Sequence, residues 1–391
     1  MIMRVAYLSD ILSGHDIRFL AGIVGCGHET HLVTFYPGAE LPAGVKSIPG
    51  LRTVRLRAEG FPHVSGGWRV SRAVTAWRGI VRATRMLKQA LDAIRPDILH
   101  AGWLQTSGLI AARSGFHPLM VMPWGSDVLL WPDRSFLDRR KAVHALRHAD
   151  LVQCDACHVR DRIRAISGVS AEKILVFPWG VDLGRFSPGA PADSLRIRLG
   201  WREAVVAVVT RQLKPVYGHA HLLAAAAFLR ESCPRLRWLI IGEGRLGDSL
   251  REDVRRRGLV EMVHFAGRME IDRVADALRE SDMYVSSSLS DGTSLSLLEA
   301  MACGLPAVVT DLPAIREWVA DGENGFLAPP ANPEALAGKI RILYDDESLR
   351  RRFGQENLRI ARERADWSRH VRTLDEAYRM IGSKKSASLK K

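Results

Sequence analysis

The sequence predicts an α/β protein built from two doubly wound parallel-sheet domains. Its 391 residues exceed an ordinary single core and suit two domains of roughly 180 residues each. In both halves, short apolar runs alternate with amphipathic stretches, which is the pattern of βαβ units. Because open parallel sheets bind ligands beyond the carboxyl ends of their strands, two such domains are expected to form a cleft from loops of both.

Thirteen apolar runs are strand candidates. In the first half they are residues 5–9, 31–35, 53–56, 97–101, 118–123, 151–154 and 174–178. In the second half they are residues 204–210, 236–241, 263–267, 283–287, 306–310 and 325–329. Gly25 and Gly27 are expected to end the first helix and turn the chain into the second strand.

The segment 179–200 is rich in Gly, Pro and Asp and is predicted to be the interdomain linker. The predicted domains are 1–185 and 186–365, followed by a C-terminal helix over 366–391 that returns to the first domain. The last ten residues lack apolar periodicity, so a basic disordered tail is expected.

Composition indicates a globular protein, with 47% hydrophobic and 25% charged residues. No apolar run approaches the ~18 residues of a membrane span, and the first residues read as a strand and not as a signal peptide. Five scattered cysteines favour reduced thiols over a disulfide framework. A cytoplasmic location is expected. The net charge of +13 indicates either an acidic partner or a compositional bias toward arginine.

The most informative stretch runs from Ser287 to Leu327. Asp291 and Glu299 have seven residues between them and bracket a loop that opens a helix. The amides of that loop and the positive end of the helix suit a diphosphate. Glu299 can accept two hydrogen bonds from vicinal hydroxyls such as those of a ribose, and Asp291 can do the same for a transferred sugar. The loop residues between them are Gly292, Thr293, Ser294 and Leu295.

This stretch resembles the donor-binding motif of family 4 retaining glycosyltransferases, which share the two-domain GT-B fold. The family usually has Glu at the first acidic position, where this chain has Asp291. The resemblance implies a nucleotide-sugar donor of UDP or GDP type, a saccharide or lipid-linked acceptor and retention of anomeric configuration. No Asp-x-Asp metal motif occurs, so no metal and no other cofactor is expected.

A second patch, residues 208–223, lies at the first strand-to-helix turn of the second half. Arg211 matches the family's arginine, which can fork onto diphosphate oxygens. The lysine usual before the helix-starting glycine is replaced by Tyr217, and Lys214 is either a substitute cation or an exposed loop lysine. Further donor-side candidates implied by the resemblance are Gly242, Glu243 and Arg268.

On the acceptor side, the first loop and helix of the family are matched by residues 9–33, with Ser13 and Gly14 in place of the usual double glycine. His15 is expected either to touch the acceptor or leaving phosphate or to cap the helix. Trp124 stands where many relatives carry a histidine. Ser126 and Asp127 then become the polar candidates, although Asp127 also fits a helix cap.

Two other features of the sequence have alternative explanations. The run CDACH, 154–158, matches a haem-attachment pattern but lies at a strand-to-helix junction, so neither haem nor zinc is expected. The region 68–94, with Trp68, Trp77 and three nearby arginines, fits either an anchor on an anionic membrane surface or a helix packed on its own sheet.

The predicted function is therefore glycosyl transfer in glycan or cell-envelope biosynthesis, either cytoplasmic or peripheral on the cytoplasmic face of a membrane. Two enzyme-like alternatives are a nucleotide-sugar epimerase and an inactive nucleotide-sugar binder. A basic nucleic-acid-binding protein would explain the charge but not the acidic loop, and no recognition module is visible.

Overall fold

The computed structural model describes residues 2–10, 12–59, 61, 70–191 and 194–388. Trp68 and the last three residues of the predicted tail lie outside this described part. The chain forms two compact units: unit 1 comprises Met1–Pro178 and Arg369–Lys391, and unit 2 comprises Trp179–Ser368. The predicted linker, 179–200, belongs to unit 2, because Phe186 is buried there and Val181 pairs with Asp366.

Unit 1 is built on a seven-stranded parallel sheet with the order β3-β2-β1-β4-β5-β6-β7. Each strand coincides with a predicted apolar run, which confirms those predictions. The strands are β1 Arg4–Leu8, β2 Glu29–Thr34, β3 Arg52–Arg55, β4 Ile98–Gly102, β5 Leu119–Met122, β6 Leu151–Cys154 and β7 Ile174–Val176.

The helices of unit 1 follow the strands as crossover connections. The first of them ends at Gly25, and Gly27 adopts φ +80°, as the sequence predicts. They are α1 Gly14–Gly25, α2 Ala43–Lys46, α3 Val70–Ile94, α4 Leu109–Ser114, α5 Ser126–Leu129, α6 Phe136–His148 and α7 Cys157–Ser167.

Unit 2 contains a six-stranded parallel sheet with the order β10-β9-β8-β11-β12-β13. Its strands also match the predicted runs, so the predicted fold class is confirmed for both units. The strands are β8 Val205–Val209, β9 Leu236–Ile241, β10 Val263–Gly267, β11 Met283–Ser286, β12 Ala307–Thr310 and β13 Gly325–Ala328. The helices are α8 Leu195–Arg198, α9 His219–Leu229, α10 Gly247–Arg256, α11 Ile271–Arg279, α12 Leu295–Ala302, α13 Pro333–Asp345 and α14 Glu347–Arg364.

The strand order positions the candidate donor site. In unit 2, β8 lies between β9 and β11. From β9 the chain continues to β10 at one edge of the sheet, and from β11 it continues to β12 toward the other edge, so the loops after β9 and β11 diverge. Such a switch point leaves a crevice at the carboxyl ends of the strands. Every residue of β8 and of β11 is buried, as expected for strands covered by helices on both faces.

The last helix, α15 Trp367–Ser388, packs on unit 1. The hydroxyl of Tyr378 lies 2.6 Å from Nδ1 of His100, and Asp375 lies 2.9 Å from Nε2 of His28. Burial lowers the pKa of His100 to about 3, so its ring is neutral at physiological pH. The helix continues through Ser388, into the segment 382–391 for which the sequence predicts a disordered tail. Once a helix is anchored, each further residue adds a hydrogen bond without a new nucleation cost.

Within the described ranges, no helix combines the length and apolar character that crossing a membrane requires. All five cysteines are free thiols. Cys154 is buried at the end of β6, whereas Cys157 is exposed at the start of α7.

Candidate functional site

The loop between β11 and α12 carries the acidic pair predicted from the sequence. Helix α12 begins at Leu295 because Ser294 is extended and its side chain accepts a hydrogen bond from the amide of Leu297 at 3.3 Å. Asp291 is half-buried on the loop, and Glu299 is only 6% exposed in the second turn of the helix. The loop residues Gly292, Thr293 and Ser294 are buried, and Leu295 is half-buried.

Arg211 follows β8 and lies beside this loop. Its guanidinium forms an ion pair with Asp291 and donates a hydrogen bond to the hydroxyl of Ser288 at 3.3 Å. The same guanidinium lies over the ring of Tyr217, with its carbon 4.5 Å from the ring centroid. A flat guanidinium on an aromatic face gains electrostatic attraction and loses freedom to rotate. The predicted cation, one predicted carboxylate and the residue that replaces the family's lysine are therefore in direct contact.

Backbone contacts hold the two loops together. The hydroxyl of Ser287 donates to the carbonyls of Tyr217 and Gly218, each at 3.0 Å, and the amide of Leu289 donates to Val216 at 2.8 Å. Gly218 has φ +63°, and a Cβ at this position would overlap the carbonyl oxygen of Ser287. Only glycine allows this approach, which sets the position of Tyr217 and, through it, of Arg211.

The end of β9 contributes the next segment of the site. Gly242 has φ +144° and packs on the carbonyl of Arg211, and the amide of Leu213 donates to the carbonyl of Glu243 at 3.0 Å. The side chains of Glu243, Lys214 and Arg268 are exposed, and within the described residues they form no hydrogen bond or ion pair. The backbone at Gly242 and Glu243 thus adjoins Arg211, whereas these three side chains do not join the Arg211 and Asp291 pair.

In unit 1, the predicted acceptor-side residues lie on two neighbouring loops. Ser13 caps α1 and forms a capping box with Asp16, while Gly14 is exposed and His15 is half-buried. The ring of His15 lies 6.0 Å from that of Trp124, measured between centroids. The histidine therefore stands at the start of α1 beside the tryptophan that replaces the usual histidine.

Asp127 is buried and holds backbone rather than facing solvent. Its carboxylate accepts hydrogen bonds from the amides of Leu104 and Trp124, each at 2.8 Å. Burial raises the pKa of this carboxyl to about 6. Both oxygens are thus engaged by backbone amides outside α5, whose N-cap is Gly125, so Asp127 joins two loops and does not cap the helix. Ser126 is half-buried at the first position of α5.

Sequence reasoning missed a buried polar cluster at the carboxyl end of β1. Asp10 accepts hydrogen bonds from Thr106 at 3.0 Å and from Ser107 at 2.6 Å. The two hydroxyls lie in a π-helical turn, Leu104–Gly108, which follows a positive φ of +44° at Trp103. The position of Asp10 directly after a buried strand was a usable signal, but the turn that brings the hydroxyls to it was not.

Two parallel-sheet units with this loop chemistry define the class of nucleotide-sugar-dependent transferases with a GT-B fold. Family models match two successive parts of the chain: "Glycosyl transferase 4-like" matches residues 4–156, and "Glycosyl transferases group 1" matches residues 195–359. The chain belongs to the group 1 glycosyltransferases and is an enzyme of that kind, as the sequence predicts.

Known proteins resemble the chain over much of its length. It is 26% identical over 380 residues to the D-inositol 3-phosphate glycosyltransferase of Kribbella flavida, covering 90% of this chain and 86% of that one. It is 31% identical over 207 residues to the phosphatidyl-myo-inositol mannosyltransferase of Mycobacterium leprae, covering 53% of each. Its fold matches the crystal structure of Anabaena HepE in complex with UDP, with a TM-score of 0.77, 22% identity, and coverage of 97% of this chain and 100% of that one.

Proposed function

We propose that this glycosyltransferase moves a hexose-type sugar from a UDP- or GDP-sugar to a saccharide or lipid-linked acceptor, with retention of configuration and without a metal ion. The observation that carries the proposal is the ion pair of Arg211 with Asp291, on the loop that leads into the helix of Glu299. One cation, one loop carboxylate and one buried helix carboxylate are the groups that a sugar-bearing diphosphate needs.

In the proposed reaction, the bond between the anomeric carbon and the donor phosphate oxygen breaks. A bond from that carbon to the acceptor hydroxyl oxygen forms on the same face, and the hydroxyl proton passes to the departing phosphate. Arg211 offsets the charge that develops on the departing diphosphate. Glu299 accepts hydrogen bonds from the ribose, and Asp291 accepts them from the sugar. No separate general base is required by this scheme.

The comparisons support the donor and acceptor classes by analogy. HepE has been crystallised with UDP and with UDP-glucose. The Mycobacterium leprae relative is named for a mannosyl transfer to phosphatidyl-myo-inositol, which is a lipid acceptor. For this chain, we infer a UDP- or GDP-linked donor and an acceptor from the same two classes, with the reaction at the cytoplasmic face of a membrane. The free thiols of all five cysteines agree with a reducing compartment.

Ligand-dependent stabilisation tests the donor site. A ligand at 100 times its dissociation constant stabilises a protein by about 2.7 kcal/mol, so UDP, GDP and their sugars are screened by thermal shift. We expect one nucleotide series to raise the melting temperature of the wild-type chain. Arg211→Ala and Glu299→Ala are expected to abolish that rise and to abolish donor hydrolysis or transfer.

Matched controls are Arg202→Ala and Glu203→Ala, which alter exposed residues of the same unit just before β8. Both controls should behave like the wild type. Persistent hydrolysis and ligand stabilisation in Arg211→Ala and Glu299→Ala together would contradict the proposal. Turnover that disappears with EDTA and returns with Mg²⁺ would contradict its metal-independent part.

A further inference from the structure

A groove on unit 1 lies apart from every predicted site residue. It runs between α3, α4 and α6 and has a volume of about 910 Å³. Pockets that bind small molecules measure roughly 300–1,000 Å³. The surface of the groove is almost wholly apolar, with Ile80, Leu109 and Val143 among its lining residues.

Large apolar side chains border the groove and remain in contact with solvent. Trp77 is 48% exposed, Phe136 71% and Leu137 60%. Scattered exposed apolar residues need no explanation, but three at the border of one apolar groove form a continuous patch. A patch of this kind marks a surface that binds a protein, a ligand or a membrane.

The border is also positively charged. The guanidinium carbon of Arg113 lies 4.6 Å from the ring centroid of Trp77, and that of Arg140 lies 5.5 Å from the ring of Phe136. Arg139 is exposed beside them. The nearby carboxylate of Asp138 is paired with Lys141 at 2.9 Å, so it does not neutralise the arginines. The occupant must therefore be both apolar and anionic.

We propose that this groove binds an anionic phospholipid of a bilayer surface, with an acyl chain against the apolar lining and the phosphate near Arg139 and Arg140. A peptide would bring amide and carbonyl groups onto a surface that offers them almost no hydrogen-bonding atoms, and burying those groups unpaired is costly. An acyl chain has no such groups. Exposed Trp and Phe beside arginines are also typical of membrane-interface surfaces.

The groove relocates the membrane surface that the sequence suggested for residues 68–94. In α3, Ile80, Leu87 and Leu91 are buried in unit 1, so the apolar face of the described part of this helix is largely used for packing on its own domain. Trp77 is the residue of that helix that faces the groove with its side chain half in solvent. Helix α6 supplies the remaining exposed apolar residues together with Arg139 and Arg140, and α4 supplies Arg113.

Vesicle co-sedimentation of the full chain tests the proposal. We expect binding to vesicles of phosphatidylcholine mixed with phosphatidylglycerol, weaker binding to phosphatidylcholine alone, and loss of binding at high salt. Replacing Arg139 and Arg140 together by Gln should weaken binding about 25-fold, since each arginine near an anionic surface contributes about fivefold. Replacing Phe136 and Leu137 together by Ser should weaken it about ten-fold or more.

Controls are Arg202→Gln and Phe228→Ser, exposed residues of unit 2 whose replacement should leave binding unchanged. A second measurement follows the acyl chain: lipids brominated in the chain should quench wild-type fluorescence more than that of Trp77→Phe. Equal binding to neutral vesicles, insensitivity to the α6 variants, or selective displacement by an acidic amphipathic peptide would overturn the proposal. Neither measurement needs turnover, so failure of the lipid-binding proposal can be distinguished from failure of the proposed reaction. Nucleotide-induced thermal shifts of the same variants report on the proposed reaction.

Discussion

The guanidinium carbon of Arg211 lies 4.5 Å from the ring centroid of Tyr217, at the position where related enzymes carry a second cation. The ring cannot neutralise a phosphate, but it can hold Arg211 in one orientation. Under the proposed function, the positive charge that faces the diphosphate then comes from one oriented guanidinium and from backbone amides. This arrangement makes Tyr217 a positioning residue for Arg211.

The ring of Tyr217, and not its hydroxyl, should determine kcat/KM for the donor. Tyr217→Phe keeps the aromatic face, whereas Tyr217→Leu removes it and frees the arginine. Cation–π contacts contribute roughly 0.5–2 kcal/mol, so we expect Tyr217→Leu to lower kcat/KM for the donor by about two- to thirtyfold and Tyr217→Phe to retain most of it. Steady-state kinetics of the two variants check this. Equal losses in both would assign the effect to the hydroxyl.

The ion pair of Arg211 with Asp291 should compete with the donor diphosphate. Because Asp291 neutralises the guanidinium in this structure, Asp291→Asn is expected to tighten UDP binding while it lowers sugar transfer. A part-buried pair of this kind couples by roughly 1 kcal/mol, which corresponds to about fivefold in dissociation constant. Isothermal titration with UDP measures the first effect and a transfer assay the second. Weaker UDP binding in Asp291→Asn would show that the carboxylate aids the nucleotide directly.

Gly218 should tolerate no side chain. Gly218→Ala places a Cβ on the carbonyl oxygen of Ser287 in a left-handed conformation, and we expect unit 2 to lose more than ~2 kcal/mol of unfolding free energy. UDP stabilisation should fall as well, since Tyr217 is displaced. The control is Gly338→Ala in α13, where nothing lies within 4 Å, and it should stabilise by up to ~1 kcal/mol. Chemical denaturation of both variants is the measurement, and similar curves would contradict the argument.

Stability of unit 1 should depend on pH through Asp127. Burial raises the pKa of this carboxyl from 3.8 to about 6, so the folded state binds the proton more tightly than the unfolded state. Its contribution to stability is fully present below the unfolded pKa and is lost as the pH rises through 6. A shift of about two units corresponds to roughly 3 kcal/mol across pH 4 to 6.

Urea denaturation of the wild type and of Asp127→Asn over that range checks the sign. The difference in unfolding free energy, wild type minus variant, should fall as the pH rises. A flat or rising difference would show that burial does not raise the pKa of this carboxyl above its unfolded value.

The sequence predicted all thirteen strands of the described ranges, because strands covered on both faces are nearly continuous apolar runs. It also placed Arg211 and Asp291 on loops that follow strands of the second half, where the structure has them. The family resemblance, drawn from the acidic loop and its spacing, was confirmed. Each of these features depends on a pattern of residues within one short segment of the sequence.

The remainder depends on backbone geometry that residue types do not reveal. The stacking of Arg211 on Tyr217 requires a short 3₁₀ turn, Pro215–Tyr217, and the left-handed Gly218 after it. The groove of unit 1 requires three helices to pack with a gap between them. The contacts of α15 with His28 and His100 join residues far apart in the chain.

The two ends of unit 2 lie side by side. Val181 pairs with Asp366, and the amide of Val181 donates to the carbonyl of Ala365 at 2.6 Å. Unit 2 is thus an uninterrupted stretch with adjacent termini, whereas unit 1 needs two distant pieces of chain to complete itself. Unit 2 can therefore be exchanged as one continuous segment, and under the proposed function such an exchange would carry the donor-binding loops with it. Unit 1 must keep α15 to remain folded after such an exchange.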